Sequence, residues 1–433
     1  MRVVYSLLIR CAAPFAFALA LWRGRRDRRY WEGAGERFGW GRTLGAAPSI
    51  WLHAVSLGEM TAAAPLVRAL RSRYPESPLV LTTATATGRA RARALFGDAI
   101  DVRFLPYDTP GAVARFLDRI RPRLALVMET ELWPNLFAEC RRRGVPLVLA
   151  NARLSARSVA RYRRFAGPLR DIFSATSLIA AQSSEDAERF IAVGAPSAKT
   201  RVVGNVKFDL DVGPEVIARG RELRAALGGA RPVWIAGSTH AGEEEQVLAA
   251  HAQLQLRQPN ALLLLVPRHP ERFEAVADLL SRGALRFARR SSGRMPDAAT
   301  AVLLADSVGE LVTLYAAADV AFVGGSLVPI GGHNLLEPAA LGLPVLTGPY
   351  QANGRDIARL LLEQGAARQV ADARELEAAV AQLLADPAER QRMGGAGRHI
   401  VGANRGSVAR VLELIEPMLW DPAPVPARPL AGC

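Results

Sequence analysis

Short apolar runs alternate with amphipathic segments along most of this chain. In the first half, the runs predict strands at 50–55, 78–83, 124–128, 145–150, 178–181 and 201–203, with helices such as 61–71 and 110–120 between them. The second half restarts the pattern at 233–236 and continues through 262–266, 301–304, 320–323 and 344–346. Runs that are apolar on both faces and are joined by crossover helices are typical of parallel sheets covered on each side. The pattern therefore predicts an α/β protein with two doubly wound, Rossmann-like domains, which would face each other across a cleft.

The segment 211–231 lacks a strand pattern and contains two breaks, Gly213-Pro214 and Gly228-Gly229, so we predict that it is a linker. The first domain would then span 23–210 and the second 232–405. A helix at 406–420 would follow. The proline-rich end of the chain, 421–433, is expected to be a flexible tail.

The N-terminus carries an uncharged apolar run at 11–22, bounded by Arg10 and followed by five arginines within 23–29. A membrane-spanning helix needs about 20 apolar residues, and the run reaches that length only by including Arg10. Small residues at 16–20 resemble a signal-peptide cleavage site. However, arginines directly after an apolar run favour the cytoplasmic side and attract anionic headgroups. We predict a membrane anchor at 1–22, with a cleaved signal peptide as the alternative. Whether the anchor spans the bilayer or lies in the interface stays open.

Composition narrows the class of protein. The 433 residues are 50% hydrophobic, which is enough for two ordinary cores, and the formal net charge is +14. A basic balance favours acidic partners such as nucleic acid, anionic lipid or phosphorylated substrates. The three cysteines form no CxxC motif, so neither a disulfide framework nor a structural zinc site is expected.

A glycine-rich segment, 322–338, runs from an apolar strand into a helix pattern that begins near Leu335. A strand that ends in glycines before a helix leaves backbone N–H groups unpaired, so this place is predicted to hold a phosphate. Glu337 would accept hydrogen bonds from ribose hydroxyls. A tight turn with a capped helix is the alternative, but His333 and Asn334 favour a ligand site.

Acidic residues follow two predicted strands of the first half. Glu59 lies where the first strand gives way to a helix, so it is a candidate general base, or else a carboxylate that stabilises the helix macrodipole at the N-terminus. Glu129 and Glu131 follow the strand at 124–128, and alternation would aim them similarly if the strand continued. Lys207 follows the last strand of this half and is one of only two lysines in an arginine-rich chain. This suggests that the position requires a flexible ammonium group rather than a guanidinium group.

Further candidates follow strands of the second half. Arg268 and His269 come after the strand at 262–266, and arginine suits phosphate recognition. Residues 306–311 could be a capped helix start. The triplet Asp209-Leu-Asp211 spells the DxD of metal-dependent sugar transferases, but matches of three residues arise by chance, so no metal site is predicted.

Eight motifs occur in order: HAVSLGE, ETELWPN, NARLS, GNVKFD, AGSTHAGEEE, PRHPERF, DSVGEL and GGHNLLEPAALGLPV. Together they resemble the 3-deoxy-D-manno-octulosonic acid (Kdo) transferases of lipopolysaccharide biosynthesis, over nearly the whole chain to about residue 410. The resemblance implies a glycosyltransferase B fold and metal-free, inverting transfer of Kdo. CMP-Kdo would be the donor substrate and a lipid A precursor, lipid IVA, the acceptor, at the cytoplasmic face of the inner membrane. It implies no cofactor and no nucleic-acid partner.

The resemblance also implies roles for individual residues. Glu59 matches the general base, and Glu129 and Lys207 match positions that stabilise the transition state. The segments that match CMP-binding positions are Arg268, His269, Val308, Gly309, Glu310, Asn334, Leu335, Leu336 and Glu337. The segment 349–354 departs from the family's frequent sequence and is left out of the predicted site. The number of Kdo residues transferred, the acceptor-binding residues and the oligomeric state are not readable from these motifs.

Two rivals stay open at this point. A UDP-sugar epimerase would share the two-domain architecture and use carboxylates to move protons, but it offers no use for a membrane anchor. A membrane-bound nucleotide sensor would give Glu59 and Glu129 no role. Fold analogy cannot separate these alternatives, because function depends on the site.

Overall fold

The computed structural model describes residues 2–25, 27–162, 166–210 and 212–420. The predicted tail at 421–433 and Asp211 lie outside the described residues. The chain divides into two compact units, the first formed by Met1–Asp209 with Asn404–Cys433 and the second by Leu210–Ala403.

The first unit is built on a seven-stranded parallel sheet with the order β3-β2-β1-β4-β5-β6-β7. Its strands are β1 Ser49–His53, β2 Leu79–Thr83, β3 Asp101–Phe104, β4 Pro122–Met128, β5 Leu147–Ala152, β6 Leu178–Ala181 and β7 Thr200–Val202. Its helices are α1 Arg2–Gly24, α2 Leu57–Arg73, α3 Ala86–Phe96, α4 Pro110–Ile120, α5 Pro134–Arg142, α6 Ala156–Tyr162, α7 Ala166–Ser174, α8 Ser184–Ala192 and, from the end of the chain, α17 Ser407–Trp420.

Both faces of this sheet are buried. Ile50 and Leu52 of β1 pack into one hydrophobic layer, together with Val411 and Ile415 of α17. Trp51, which lies between them in β1, packs into the opposite layer. Alternate residues of a strand point to opposite faces, so a strand covered on both sides is apolar throughout. This is the physical reason why the apolar runs predicted parallel strands.

The second unit repeats this architecture with the strand order β10-β11-β9-β8-β12-β13-β14, again all parallel. Its strands are β8 Val233–Thr239, β9 Leu262–Pro267, β10 Phe287–Arg289, β11 Val302–Leu304, β12 Val320–Val323, β13 Val345–Thr347 and β14 Ala367–Gln369. Its helices are α9 Pro214–Ala226, α10 Glu244–Arg257, α11 Phe273–Arg282, α12 Leu311–Ala316, α13 Leu336–Leu341, α14 Arg355–Glu363, α15 Ala373–Ala385 and α16 Pro387–Asn404.

The sequence pattern missed three strands, β3, β10 and β14, each of which lies at an edge of its sheet. All three contain charged residues, as in the Asp-Val-Arg-Phe sequence of β3. An edge strand has a neighbour on one side only and tolerates charge, so its apolar signal is weak.

The segment predicted as a linker contains helix α9, in which Gly220 lies against Ala316 of α12 in the second unit. A side chain at position 220 would bring its Cβ within 2.3 Å of the Ala316 methyl group, so this close approach requires glycine. The predicted domain boundaries themselves stay a prediction.

Helix α1 is long and apolar enough to cross a membrane, although a signal sequence would pass the same test. Its outer surface is largely uncovered, with Val3, Leu8 and Phe15 at 81%, 65% and 78% exposure. At its start, the Ser6 hydroxyl donates to Asn135 Oδ1 over 2.8 Å, at the beginning of α5. The helix therefore contacts the first unit while presenting apolar side chains outward.

Candidate active site

Glu59 lies in the first turn of α2, directly after β1. Its Oε2 accepts from the backbone N–H of Val55 over 2.9 Å, and its Oε1 accepts from the Ser56 hydroxyl over 3.2 Å. Ser56 Oγ in turn accepts from the Glu59 N–H, so Ser56 is the N-cap of α2. The alternative interpretation, a carboxylate that stabilises the helix N-terminus, therefore describes this conformation. Each carboxylate oxygen can accept more than one hydrogen bond, so capping does not use up the acceptor capacity of Glu59.

Burial raises the pKa of Glu59, and the negative charge of Glu129 raises it further. The Val55 N–H, the Ser56 hydroxyl and the positive charge of Lys207 act in the opposite direction. A carboxylate whose pKa is raised toward neutrality is a better general base than an ordinary glutamate.

Glu129 and Glu131 follow β4, which ends at Met128. Glu129 has a left-handed backbone (φ 55°), so the strand does not continue and the expected alternation does not apply. Burial raises the pKa of Glu131 to about 7, with further contributions from the charges of Glu59 and Glu129. The three carboxylates therefore lie close enough to interact. Glu131 was not among the predicted catalytic residues, although it is the second acid of the ETE triplet.

Lys207 lies in a short 3₁₀ turn at Val206–Phe208. The neighbouring residue Val206 donates its N–H to Asn151 Oδ1 over 3.1 Å, and Lys207 donates its own N–H to Asn205 Oδ1 over 3.0 Å. The NARLS motif thus contributes an asparagine that holds the GNVKFD turn in place. We call the residues Glu59, Glu129, Glu131 and Lys207 the acid cluster.

Asp209 is not a free linker residue. Its Oδ1 accepts from the Gly406 N–H over 2.5 Å and its Oδ2 from the Val408 N–H over 2.6 Å, so it caps the start of α17. Both oxygens that a DxD metal site would need are engaged with the backbone. Its partner in the motif, Asp211, lies outside the described residues.

The glycine-rich segment of the second unit differs from its prediction. The backbone N–H groups of Gly325, Ser326 and Leu327 do not face outward; they donate to the buried carboxylate of Glu243 over 2.7–3.0 Å. The N–H of Gly332 donates to the Gly325 carbonyl. The prediction of free N–H groups is therefore wrong for 325–327, where an internal carboxylate binds them. Glu243 belongs to the acidic run 243–245 of the AGSTHAGEEE motif, but the local sequence does not indicate that its partner Gly325 lies 82 residues away.

Cationic and imidazole side chains gather beside this segment. Arg268 and His269 follow β9 and are both exposed. Burial, and next the charge of Arg268, lowers the pKa of His333 to about 4. Burial also lowers the pKa of His240, with His269 and Arg268 contributing. We call the residues His240, Arg268, His269 and His333 the histidine cluster; sequence reasoning assigned no role to His240.

The predicted turn at 308–310 follows β11. Val308 is 77% exposed, and Gly309 has φ 90°, a conformation that favours glycine. Glu310 pairs with Arg290 over 3.1 Å and accepts a hydrogen bond from Ser307. These bonds lower the pKa of Glu310, so its carboxylate holds the turn in shape.

The segment 334–337 leads into α13. Asn334 Oδ1 accepts from the Leu336 N–H over 3.1 Å, and the amide of Asn334 donates to Glu337 Oε1 over 3.1 Å. Leu335 and Leu336 are buried, whereas Asn334 is exposed. The two leucines thus anchor the segment, while its polar side chains fix one another.

The segment that was left out of the predicted site, 349–354, lines a cavity of about 560 Å³ within the second unit. Ile330, Gly331, Tyr350, Gln351 and Arg355 contribute to its wall. The cavity adjoins the glycine-rich segment, whose residues Pro329, Ile330 and Gly331 form part of its wall.

Two successive parallel sheets, each with polar side chains after the ends of its central strands, are the architecture of the glycosyltransferase B fold. A family model described as "Glycosyl transferases group 1" matches residues 245–400. Solved structures share the fold: UDP-GlcNAc 2-epimerase from Neisseria meningitidis (14% identity, covering 85% of this chain and 100% of that one, TM-score 0.56) and a glycosyltransferase from Rickettsia africae (12%, 87% and 100%, TM-score 0.54).

A second family model, "3-Deoxy-D-manno-octulosonic-acid transferase (kdotransferase)", matches residues 32–210. The Kdo transferase of Haemophilus influenzae is 43% identical over 96% of this chain and 99% of its own length. That of Bordetella pertussis is also 43% identical, over 96% and 99%. The chain belongs to the Kdo transferase family, and it is a glycosyltransferase. The epimerase likeness, at 14% identity, shows the fold alone.

Proposed function

We propose that this chain transfers Kdo from CMP-Kdo to the lipid A precursor lipid IVA, with inversion at the anomeric carbon and without a metal ion. The observation that carries this proposal is the acid cluster, where a half-buried carboxylate with a raised pKa lies beside Lys207 in a chain of this family. In this reaction the bond from the Kdo anomeric carbon to the phosphate breaks, and CMP leaves with the electron pair. The acceptor hydroxyl oxygen forms the new bond.

Glu59 accepts the proton of that hydroxyl. Its environment suits the task because burial raises its pKa, which makes the carboxylate a stronger base. The positive charge of Lys207 and the Val55 N–H limit this rise in pKa and favour the deprotonated form that accepts the proton. Glu129 and Lys207 stabilise the charges that develop in the transition state.

The second unit binds the donor. Arg268, exposed after β9, meets the phosphate with its guanidinium, and His269 lies next to it. The turn Val308–Gly309–Glu310 contacts the nucleotide mainly through its backbone, since the Glu310 carboxylate pairs with Arg290. Asn334 to Glu337 complete the CMP site, with the Glu337 carboxylate toward the ribose.

Charge on the departing CMP is balanced by side chains in this proposal. Arg268 and Lys207 supply permanent positive charge, and Asp209, the nearest part of the DxD triplet, caps α17 with both oxygens. Cationic side chains then neutralise the charge on the departing CMP, as a divalent ion does in metal-dependent transferases.

Helix α1 holds the protein at the cytoplasmic face of the inner membrane, where an acylated acceptor resides. Its exposed apolar side chains and the arginines that follow it suit an anionic interface. Deleting residues 1–22 releases much of the protein from membranes, and the rest dissociates as salt is raised. A shortened, processed protein in the periplasm would instead identify a signal peptide.

The function is tested by incubating the purified full chain with CMP-Kdo and lipid IVA in EDTA and analysing the lipid by mass spectrometry and NMR. We expect a Kdo-bearing product of inverted anomeric configuration and a rate that EDTA does not change. A lipid that stays unmodified would reject the acceptor or the donor. Activity that disappears in EDTA and returns with magnesium would reject the metal-free mechanism.

A further inference from the structure

Two of the chain's six histidines form a direct contact in the second unit. Nε2 of His240 lies 2.8 Å from Nε2 of His333. The ring centroids are 5.0 Å apart and the planes are 6° from parallel. With the nitrogens so close, these values place the rings edge to edge in nearly one plane, at the distance of a hydrogen bond between the two Nε2 atoms. The ring centroid of His269 lies 5.4 Å from that of His240.

The pair lies where α/β sheets of this kind bind ligands. His240 directly follows β8, and His333 follows β12, its neighbour in the sheet. In the sheet, β9 lies on one side of β8 and β12 lies on the other. The carboxyl ends of β8 and β12 therefore flank the point where the strand order reverses. Ligands of open parallel sheets bind in the crevice at that point.

The surroundings hold the pair in position. The Arg268 N–H donates to the Thr239 carbonyl over 3.0 Å, which joins the end of β9 to the residue before His240. The Glu243 carboxylate accepts from the N–H of His240 and from that of Gly325. A Cβ at Gly325 would approach His333 Cδ2 to 2.8 Å, so His333 packs directly on the glycine.

The geometry points to His240 and His333 as the subsite for the sugar carboxylate of the donor, an inference that rests on the proposed function. Kdo is an acid, so its CMP conjugate carries two anions, a phosphate and a carboxylate. Arg268 supplies one permanent cation, and the histidine pair beside it is the second group that can meet an anion. A proton taken up by the pair leaves both Nδ1 atoms as N–H donors.

The charges around the pair explain why its pKa should change when an anion binds. Besides each other, the groups that face it are His269, Arg268 and, for His240, Arg272, all of which lower the imidazole pKa after burial. The nearby anion Glu243 is engaged with backbone N–H groups. A bound carboxylate would offset the positive charges and raise the pKa of the pair from its low value in the free protein. Donor binding therefore takes up a proton and weakens as pH rises.

The test compares His240→Gln and His333→Gln with His399→Gln, a change at an exposed histidine of α16 in the same unit. Two constants are measured for each full-length variant: KM for CMP-Kdo and the inhibition constant of CMP, which lacks the carboxylate. We expect KM to rise about 10- to 100-fold in the first two variants, as for the loss of a hydrogen bond to a charged group. The inhibition constant of CMP should change less than about 3-fold, and His399→Gln should match the wild type.

An unchanged KM would overturn the inference, and so would an equal loss of CMP affinity, which would assign the pair to the phosphate instead. Unchanged inhibition by CMP also shows that the second unit is folded. A second arm uses the wild type alone: the methyl ester of CMP-Kdo should bind about 10-fold more weakly than the acid. Equal binding of ester and acid would reject the subsite. Turnover of CMP-Kdo by the wild type tests the proposed function separately.

Discussion

The two units share one architecture and carry opposite chemistry at equivalent strand ends. In the first unit, the central strands β1 and β4 lead to Glu59, Glu129 and Glu131. In the second unit, the corresponding neighbours β8 and β12 lead to His240 and His333. Burial raises the pKa of Glu59 and Glu131 and lowers that of both histidines. At equivalent strand ends, the same fold therefore carries carboxylates of raised pKa in one unit and imidazoles of lowered pKa in the other.

The largest expected effect comes from Glu59→Gln. The amide keeps the shape of the side chain but cannot take a proton, so kcat should fall about 100- to 10,000-fold. The measurement is initial-rate transfer at saturating donor, with Glu76→Gln, a change at an exposed glutamate of the same unit, as the control. Turnover near that of the control would remove Glu59 from the role of base.

Removing one cation from either unit should cost less. Lys207→Ala and Arg268→Ala each take away a cation that we propose stabilises the transition state, so we expect losses of about 10- to 1,000-fold. Arg282→Ala, at an exposed position of α11, is the matched control. The comparison between the units predicts that Arg268→Ala weakens CMP binding more than Lys207→Ala does. Equal CMP binding by these two variants would contradict it.

The pH profile distinguishes the members of the acid cluster. The base must be deprotonated, so activity should rise with pH through its raised pKa, above the value of about 4.3 for an ordinary glutamate. The charges of Glu59 and Glu131 repel each other. Because the charge of Glu59 raises the pKa of Glu131, Glu59 loses its proton first, and Glu131→Gln should leave the acidic limb of kcat/KM in place with kcat largely preserved. A loss of 100-fold or more in this variant would make Glu131 the base.

The smallest effect is expected at the DxD triplet. In Asp209→Asn only one side-chain oxygen remains to accept from Gly406 and Val408, so the start of α17 should lose about 1–3 kcal/mol of stability. Hydrogen–deuterium exchange of 406–420 should quicken, with Asp98→Asn as the control and transfer by the folded enzyme retained. Asp211→Asn should be close to silent. Loss of transfer in Asp211→Asn would return the triplet to candidacy as a metal site.

The sequence predicted most of the central strands and located the acid cluster, Arg268 and His269 after strands, but it assigned no role to His240. Strands β6 and β12 match their predicted ranges, because strands that are buried on both faces give an unbroken apolar signal. The edge strand β3 escaped detection because charge interrupts that signal. Local pattern identified Glu59 and Lys207 but could not show that Glu131 joins them.

The wrong expectation concerns the glycine-rich segment. Its glycines predicted free N–H groups, and the chain supplies an internal acceptor from 82 residues away, where Glu243 binds the Gly325 N–H. No local rule reveals such a partner, since tertiary contacts decide which backbone groups are satisfied. The contact between His240 and His333, 93 residues apart, is equally invisible to spacing.

CMP binding by Glu59→Gln and Arg268→Ala, measured side by side by calorimetry, tests the division of labour between the units most directly. Glu59→Gln should bind CMP as the wild type does, although it transfers no sugar at a useful rate. Arg268→Ala should bind CMP about 10-fold or more weakly. Loss of CMP binding in Glu59→Gln, or wild-type binding in Arg268→Ala, would contradict the account.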